Sequence, residues 1–385
     1  MLEKALQGSR RYWTWLAVVA AVIAAGLVAW LYQYRVGLGI TGLSRDVSWG
    51  LYIAQFTFLV GVAASAVMVV LPYYLHNFKV FARVTILGEF LAISAVILCM
   101  LFIFVDMGQP QRVLNVALHP TPNSVMFWDM VSLGGYLLLN IVITRVTLDA
   151  ERKDIAPPRW IKPIIILSIP WAISIHTVTA FLYSGLAARP FWLTAILAPR
   201  FLASAFSAGP AILILLCLFV RRISRFDPGD EAIRKLAVIV TYAMAVNVFF
   251  VLLEMFTVLY SDIPHHVEHF QYLYFGIGDA RALVPWAWTS AALSVAALVL
   301  LLIPSTRNHF KVLPWICVTV VAGLWIDKGI DLIIAGFVPN PVGHVTEYAP
   351  TVPEVLVTLG VYGIGLFVLT ILYKIGLAVK EAEVA

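Results

Sequence analysis

Residues 84–105 read VTILGEFLAISAVILCMLFIFV, an apolar run whose one charged side chain is Glu89. About 20 predominantly apolar residues are enough to cross the hydrocarbon core of a bilayer as an α-helix. The run therefore predicts a transmembrane helix. An ionisable side chain at membrane depth is costly unless it is paired or hydrated, which makes Glu89 a candidate functional residue.

The composition of the 385-residue chain extends this interpretation to the whole protein. Hydrophobic residues make up 62% and charged residues 12% of the sequence, against roughly 45–50% and about 25% in soluble domains. Loops between the apolar runs are short, so we expect one polytopic membrane domain over 1–385 and no soluble domain. The net charge of +5 is explained by basic loops and requires no nucleic acid partner.

Ten apolar runs are long enough to span a membrane, and the sequence predicts an all-α integral membrane protein. The expected spans are 13–33, 49–74, 84–107, 125–143, 163–186, 201–220, 237–260, 283–303, 313–337 and 355–375.

Lysine and arginine predict the orientation of these spans. Of the 26 Lys and Arg residues, six lie in loops on one side, Lys328 lies within the ninth span, and the other 19 lie on the opposite side. The six are Arg35, Arg45, Arg112, Arg189, Arg200 and Arg281. Because cytoplasmic loops carry the excess of positive residues, both termini are expected in the cytoplasm of a multi-pass protein of the cell membrane.

Polar residues in the third to fifth spans are candidates for proton chemistry. Glu89 is expected near the inner face, either paired with Arg83 or serving as a proton carrier. Asp106 and Asp129 are expected near the outer face, where Asp129 could also simply complement a helix dipole. Asn140 lies deeper in the fourth span and could bond to a neighbouring helix.

His176 is the one histidine of eight expected at mid-membrane, and Tyr183 lies two helical turns further toward the outer side. A membrane b-type haem usually takes two axial ligands from facing helices, so a single central histidine argues against haem. The cluster His265-His266-x-x-His269 lacks cysteine partners and favours a polar loop over a metal site.

The second half of the chain has a polar set of its own. Asn247 and Glu254 are seven residues apart and share a helix face, while Asp327, Lys328 and Asp331 are clustered in the ninth span. A carboxylate–ammonium–carboxylate cluster at depth could be self-neutralising structure, or it could carry protons. The sequence leaves both open.

Four strings resemble a known family. They are Trp49-Gly50-Leu51-Tyr52-Ile53-Ala54, Asp106-x-Gly108-Gln109-Pro110-x-Arg112, Ser174-Ile175-His176-Thr177-Val178-Thr179-Ala180-Phe181, and Leu197-Ala198-Pro199-Arg200-Phe201-Leu202-Ala203-Ser204. Together they resemble the NrfD / polysulfide-reductase membrane subunits, and within that family the ten-span subunit of a sulfite-reduction-associated complex. The strings cover residues 49 to about 205. Many relatives have arginine where this chain has Gln109, so no charge role is carried onto that position.

The resemblance implies a fold and a function. Such subunits form two four-helix bundles, here spans 2–5 (residues 48–190) and spans 6–9 (residues 199–340), with spans 1 and 10 at the flanks. They hold no haem or iron–sulfur cluster, and they bind a quinone, here expected to be menaquinone, near the outer end of the first bundle. Electrons pass to or from an extracytoplasmic ferredoxin-like iron–sulfur subunit, beside other membrane and cytochrome subunits.

The candidate residues then fall into three groups. His176, Asp106 and Asp129 are expected to exchange protons with the quinone, with Arg112 holding one carboxylate ionised. The expected quinone contacts are Trp49, Arg112, His119, Trp128, His176 and Tyr183. The expected proton path from the cytoplasm comprises Glu89, Asn140, Glu254, Asp327, Lys328 and Asp331.

Two other classes of protein remain open from the sequence. A secondary transporter would also use ten spans and midplane acids, and it would be expected to contain broken helices. A haem-b electron carrier is the other class. In the favoured interpretation, the chain is a quinone oxidoreductase subunit that is active only inside a multi-subunit complex.

Overall fold

The computed structural model describes residues 2–76 and 78–382. Nine helices in this part of the chain are long and apolar enough to cross a membrane. In chain order, with one further helix between the last two, they are α1 (Arg10–Val36), α2 (Leu51–Tyr74), α3 (Ala82–Asp106), α4 (Val125–Arg152), α5 (Ile161–Ser184), α6 (Leu197–Ile223), α7 (Asp230–Ser261), α8 (Val284–Leu302) and α10 (Val352–Ala382).

The ninth predicted span differs from a plain helix. It consists of Leu313–Leu324, a π-helical segment Trp325–Asp331 and a last α-helical turn Leu332–Ala335, together called α9. Helix α2 is also interrupted, by a 3₁₀ turn at Ala64–Ala66. Of the ten expected spans, nine are thus helices that meet the criteria of length and apolarity in the described residues. The remaining one, α9, contains a π segment.

Several helices are longer than their apolar runs. Helix α4 continues to Arg152 instead of ending near 143, and α7 begins at Asp230 instead of 237. Hydropathy detects only the part of a helix inside the hydrocarbon region, whereas backbone hydrogen bonding continues into polar surroundings. The end of α4 and the start of α7 are therefore helical extensions that carry Asp149, Arg152 and Asp230.

Helix contacts divide the spans into two four-helix bundles with two flanking helices. Helices α2, α3, α4 and α5 contact one another in sequence and α5 returns to α2, while α6, α7, α8 and α9 form a second ring. The bundles meet where α2 packs against α6 and the π segment of α9. The most apolar stretch of α2 is 94% buried, against 17% for α1, so the junction of the bundles is the centre of the molecule.

The flanking helices α1 and α10 pack against each other, and α10 also packs on α3. A Cβ on Gly26 would lie 2.4 Å from the Cα of Gly360, so only glycine permits this approach of the two backbones. The Ser94 hydroxyl donates to the carbonyl of Gly365 at 2.8 Å and joins α10 to α3. Two ends of the molecule can now be defined: the Asp106 end, where α3 finishes, and the Glu151 end, where α4 finishes.

Candidate functional site

Aromatic rings converge where the two bundles meet at the Asp106 end. The Trp49 ring lies 5.6 Å from Tyr183, 5.8 Å from Trp192 and 5.7 Å from Phe337, measured between ring centroids. Tyr183 also lies 5.9 Å from Phe201. These five residues, here called the aromatic cluster, come from the start of α2, the end of α5, the loop after it, the start of α6 and the segment after α9.

Hydrogen bonds hold two of these rings in place. The Thr57 hydroxyl donates to the carbonyl of Ile53 at 2.7 Å. Its one proton is then used, so the Tyr183 hydroxyl is the donor in the 2.5 Å contact with Thr57 Oγ1. Trp192 Nε1 donates to the carbonyl of Leu332 at 2.8 Å. Both bonds cross between helices and keep the ring faces at defined angles.

Two nitrogen-bearing side chains lie below the aromatic cluster without hydrogen-bond partners. Both ring nitrogens of His176 are buried, and neither makes a hydrogen bond of normal geometry with a described residue, although the backbone of Ala172 and Gly61 lies close to the ring. Lys328 Nζ is likewise unbonded within the described chain and lies 4.2 Å from the centre of the Phe201 ring. The amine would be 3.3 Å from a Cβ placed on Gly61, so glycine at that position leaves room for it. These groups retain free hydrogen-bonding capacity in a buried setting.

The two carboxylates of the first bundle differ in their surroundings. Asp129 is buried on α4, and its Oδ1 accepts a 2.7 Å hydrogen bond from Thr179 on α5. Asp106 ends α3, and its buried Oδ1 has no hydrogen-bond partner among the described residues. Both carboxylates lie within electrostatic range of the Tyr183 hydroxyl. The carboxylates of Asp106 and Asp129 therefore lie on the side of the molecule that holds Tyr183.

Three predicted quinone contacts lie elsewhere. Arg112 and His119 are exposed, and no salt bridge joins Arg112 to either carboxylate within the described chain. Trp128 is 48% exposed, and its Nε1 donates to the carbonyl of Pro122 at 2.7 Å. The expectation that Arg112 holds a carboxylate ionised is wrong for this conformation, because its 3₁₀ turn (Pro110–Arg112) directs the side chain to the surface.

Glu89 is buried on α3 near the Glu151 end and is not paired with Arg83. Its Oε2 accepts a 3.1 Å hydrogen bond from Thr144 on α4, whereas Arg83 Nη1 donates to the carbonyl of Asp227 at 3.4 Å. Asn140 is buried one turn from Thr144, and its Nδ2 donates to the carbonyl of Tyr136 within α4. Glu89 is thus a buried acid with one neutral partner.

The second bundle contains a buried ion cluster centred on Arg200. Its Nη1 contacts Glu254 Oε2 at 2.5 Å and its Nη2 contacts Asp327 Oδ1 at 2.6 Å. Sequence analysis assigns Arg200 only as a loop cation. The single indication of a special role is its position in the string Leu197-Ala198-Pro199-Arg200. The cation that neutralises Asp327 is therefore Arg200 from α6, not the adjacent Lys328.

The π segment separates the three charged residues that the sequence had grouped. Asp327 faces Arg200, Lys328 faces the first bundle, and Asp331 Oδ2 accepts a 3.0 Å hydrogen bond from Ser290 on α8. Of the two alternatives that the sequence leaves open for Asp327, Lys328 and Asp331, the self-neutralising cluster does not form.

The histidine cluster outside the membrane has a structural role at His269. Its Nδ1 lies 2.7 Å from the carbonyl oxygen of Ala335 and 2.9 Å from that of Val338. These two contacts join the helix Pro264–Tyr274 to the end of α9. Burial lowers the pKa of His269 below its ordinary value. In residues 2–76 and 78–382, no group of three or more His, Cys, Asp or Glu side chains could hold a metal ion.

The sequence matches the model of a known protein family over most of its length. The family model described as "Polysulphide reductase, NrfD" matches residues 39–339, which include both bundles. The chain belongs to the NrfD family. The four strings indicate this family from residues 49 to about 205, and the match extends over the rest of the second bundle.

Three relatives align along nearly the whole chain. A putative dimethyl sulfoxide reductase membrane subunit of Halobacterium salinarum is 28% identical, with 91% of this chain and 88% of the relative covered. A selenate reductase subunit of Mesobacillus selenatarsenatis is 23% identical over 94% and 92%. The Hdr-like menaquinol oxidoreductase integral membrane subunit of Archaeoglobus fulgidus is 23% identical over 99% and 97%.

The NrfD match, the relatives and the apolar helices support the same general conclusion. The chain is a multi-pass integral membrane protein related to membrane subunits of oxidoreductase complexes. Within this NrfD protein, the candidate residues named from the sequence that lie at the junction are Trp49, Asp129, His176 and Tyr183. The structure adds their neighbours Thr57, Thr179, Trp192 and Phe337. These four are neutral residues whose role depends on cross-helix contacts.

Proposed function

We propose that this chain is the quinone-reactive membrane subunit of a respiratory redox complex. It would exchange electrons between menaquinone or menaquinol and an iron–sulfur subunit on the extracytoplasmic face. The observation that carries the proposal is the junction of the bundles, where the aromatic cluster lies over two buried nitrogen groups with free hydrogen-bonding capacity. Menaquinone is favoured because one full-length relative is named a menaquinol oxidoreductase subunit.

The residues at this junction fit a quinone head group. A quinone has a planar apolar ring and two carbonyl oxygens that accept hydrogen bonds. The rings of Trp49, Tyr183 and Phe201 would contact its faces and edges. His176 and Lys328 would donate to the carbonyl oxygens, which satisfies polar atoms that are otherwise unbonded within the described chain.

When bound, the quinone supplies two-electron, two-proton redox chemistry, and the chain supplies positioning and proton exchange. His176 would hold and release a proton at a ring nitrogen within hydrogen-bond reach of the head group. Tyr183, held by Thr57, would orient the ring plane. Asp129, bonded to Thr179, and Asp106 would pass protons between the site and the Asp106 end.

We propose a second set of groups as a proton path from the cytoplasm. Glu89 and Asn140 lie on the Glu151 side of His176, and isolated acids at such depth normally line water or a relay. Glu254, Asp327, Lys328 and Asp331 would serve the second bundle, and Lys328 is the member that reaches the first. We propose the orientation that the distribution of Lys and Arg predicts, with both termini in the cytoplasm.

The iron–sulfur partner would dock on the Asp106 end. Exposed apolar side chains there include Leu114, Leu118, Leu193 and Phe275, each at least half exposed. Apolar residues on loops outside the membrane are typical of protein interfaces. The four strings also resemble DsrP of the sulfite-reduction-associated DsrMKJOP complex, so we propose sulfite or sulfate respiration, with further membrane and cytochrome subunits, as the setting.

A substitution in the aromatic cluster tests the quinone site. Trp49→Leu should raise the KM for menaquinol of the assembled complex about tenfold or more, because ring contacts to a bound aromatic group contribute about 0.5–1.5 kcal/mol each beyond area burial. Trp315→Leu is the control, since Trp315 is 72% exposed on α9 and has no ring contact with the cluster. An unchanged KM in Trp49→Leu would place the quinone elsewhere.

The membrane potential generated during turnover tests the proposed proton path. Glu89→Gln should keep quinol-dependent electron transfer but lower the membrane potential generated per electron in proteoliposomes, because the amide cannot carry a proton. Each charge moved stores about 2.3 kcal/mol per 100 mV. Thr144→Val is a companion variant that removes the hydrogen bond to Glu89 and leaves its acid. Equal potential per electron in wild type and Glu89→Gln would show that Glu89 is structural.

A secondary transporter remains the alternative, because α2 and α9 are both interrupted and contact each other. Broken helices at a bundle interface are a feature of transporter sites. Quinol-dependent electron transfer by the assembled complex distinguishes the two functions, since a transporter would show none.

A further inference from the structure

A cleft of about 1060 Å³ lies at the Glu151 end, far from the aromatic cluster. It is bounded by α3, α4, α10 and the loop that follows α4. Its deeper wall is apolar and is formed by Phe90, Ile93, Ile141, Leu372 and Ile375. Since Ile141 is 43% exposed and lies inside a spanning helix, this wall opens sideways to the acyl chains of the bilayer.

The mouth of the cleft is cationic. Arg145, Arg152 and Lys153 line it, together with the acid Asp149. Asp149 is already bonded to Arg152 at 2.8 Å and to Lys153 at 2.6 Å. Three cations against one carboxylate leave a net charge of +2, and Arg145 is exposed with no acidic partner in the described chain.

Neighbouring residues extend the same pattern. A shallower groove beside the cleft is lined by Arg159, Lys162 and the apolar face of α5, with no acid. Trp160 lies between the two and is 55% exposed. Tryptophan prefers the level of the lipid head groups, and basic pockets between spanning helices bind anionic head groups.

We propose that this cleft is a binding site for an anionic phospholipid of the leaflet at the Glu151 end. Arg145 and the Arg152–Lys153 pair would contact the phosphate and the anionic head group. The acyl chains would lie along Ile141, Phe90 and Leu372. The site matches its occupant in two independent respects, because its apolar wall faces the hydrocarbon region and its charges lie at head-group height.

The site is separate from the proposed quinone chemistry. The cleft residues belong to α3, α4, the loop after α4 and α10, whereas the aromatic cluster draws on α2, α5, the loop after α5, α6 and the segment after α9. Thr144 is the one cleft residue that contacts a proposed proton-path group, through its bond to Glu89. Lipid binding can therefore be measured without reference to electron transfer.

The test is lipid retention by the intact complex, measured by native mass spectrometry after exchange into nanodiscs of phosphatidylglycerol or phosphatidylcholine. Wild type should retain phosphatidylglycerol. Arg145→Gln combined with Lys153→Gln should bind it about 30-fold more weakly, since each Lys or Arg near the surface contributes about a factor of five. Arg152 stays in place to pair with Asp149.

The matched control removes two other cations from the same end. Arg222→Gln combined with Lys311→Gln lies outside the cleft and breaks no salt bridge in the described chain, so retention should equal that of wild type. If the double variant fails to assemble, Arg145→Gln alone should weaken binding about fivefold. Equal retention of phosphatidylcholine, equal loss in the control pair, or a quinone in the cleft instead of lipid would each overturn the proposal.

Discussion

Replacing His176 with alanine should lower menaquinol-dependent electron transfer in the assembled complex by about 10²–10⁴-fold, the range typical for loss of a positioned general acid or base. Both ring nitrogens are buried near Lys328 and make no hydrogen bond of normal geometry with a described residue, although the backbone of Ala172 and Gly61 lies close to the ring. The substitution removes the proposed proton donor without removing a structural hydrogen bond. The measurement is steady-state turnover with a soluble quinol analogue.

Thr177→Ala is the control for this experiment. Thr177 is the next residue on α5, but its hydroxyl donates to Ile173 within the same helix and is exposed. We expect its turnover to match wild type. His176→Gln keeps a hydrogen-bond donor but cannot exchange a proton near neutral pH, so it should retain quinol affinity and lose turnover. Unchanged turnover in His176→Ala would exclude His176 from the reaction.

Replacing Arg200 with methionine should destabilise the protein by about 3–5 kcal/mol, the usual result of removing one partner from a buried ion pair. The Arg200, Glu254 and Asp327 side chains expose only 11%, 6% and 15% of their surface. The substitution leaves two carboxylates buried without a cation. Unfolding of the detergent-solubilised protein, followed by a helical signal, gives the free energy of unfolding.

Two further variants show whether the loss comes from the unpaired carboxylates. Arg200→Met combined with Glu254→Gln and Asp327→Asn should recover much of the stability, because neutral amides carry no buried charge. Arg35→Met, at an exposed cation with no ion pair in the described chain, should change the free energy of unfolding by less than about 0.5 kcal/mol. A loss in Arg200→Met no larger than that in Arg35→Met would contradict the buried-triad interpretation.

The fold was predictable because its main determinant is local. Runs of apolar residues such as 84–105 identify a spanning helix without knowledge of any neighbour, and nine helices in residues 2–76 and 78–382 confirm this. The π segment of α9 was not predictable, since Trp325–Asp331 has the composition of an ordinary helix. The segment packs against Ala54 and Gly61 of α2, and these contacts cannot be read from the sequence.

The candidate site was predictable only in part, for the same reason. His176 and Tyr183 were found because they are unusual residues at membrane depth. Arg200 was missed because it begins a helix and resembles a loop cation until Glu254 and Asp327 are brought to it from α7 and α9. Arg112 was overvalued because sequence proximity to Asp106 does not determine which way a short turn directs a side chain.

The π segment of α9 has a dynamic consequence. Asp327 and Lys328 are adjacent in the chain, yet Asp327 contacts only the second bundle, at Arg200, whereas Lys328 lies over Phe201 of the second bundle and beside Gly61 of the first. A rotation or shift of this single turn would change the charge environment of both bundles at the same moment. A displacement of α9 would thus act on both bundles at once, since the π segment is also joined to α2 by the 2.7 Å hydrogen bond from Trp325 Nε1 to Gln55.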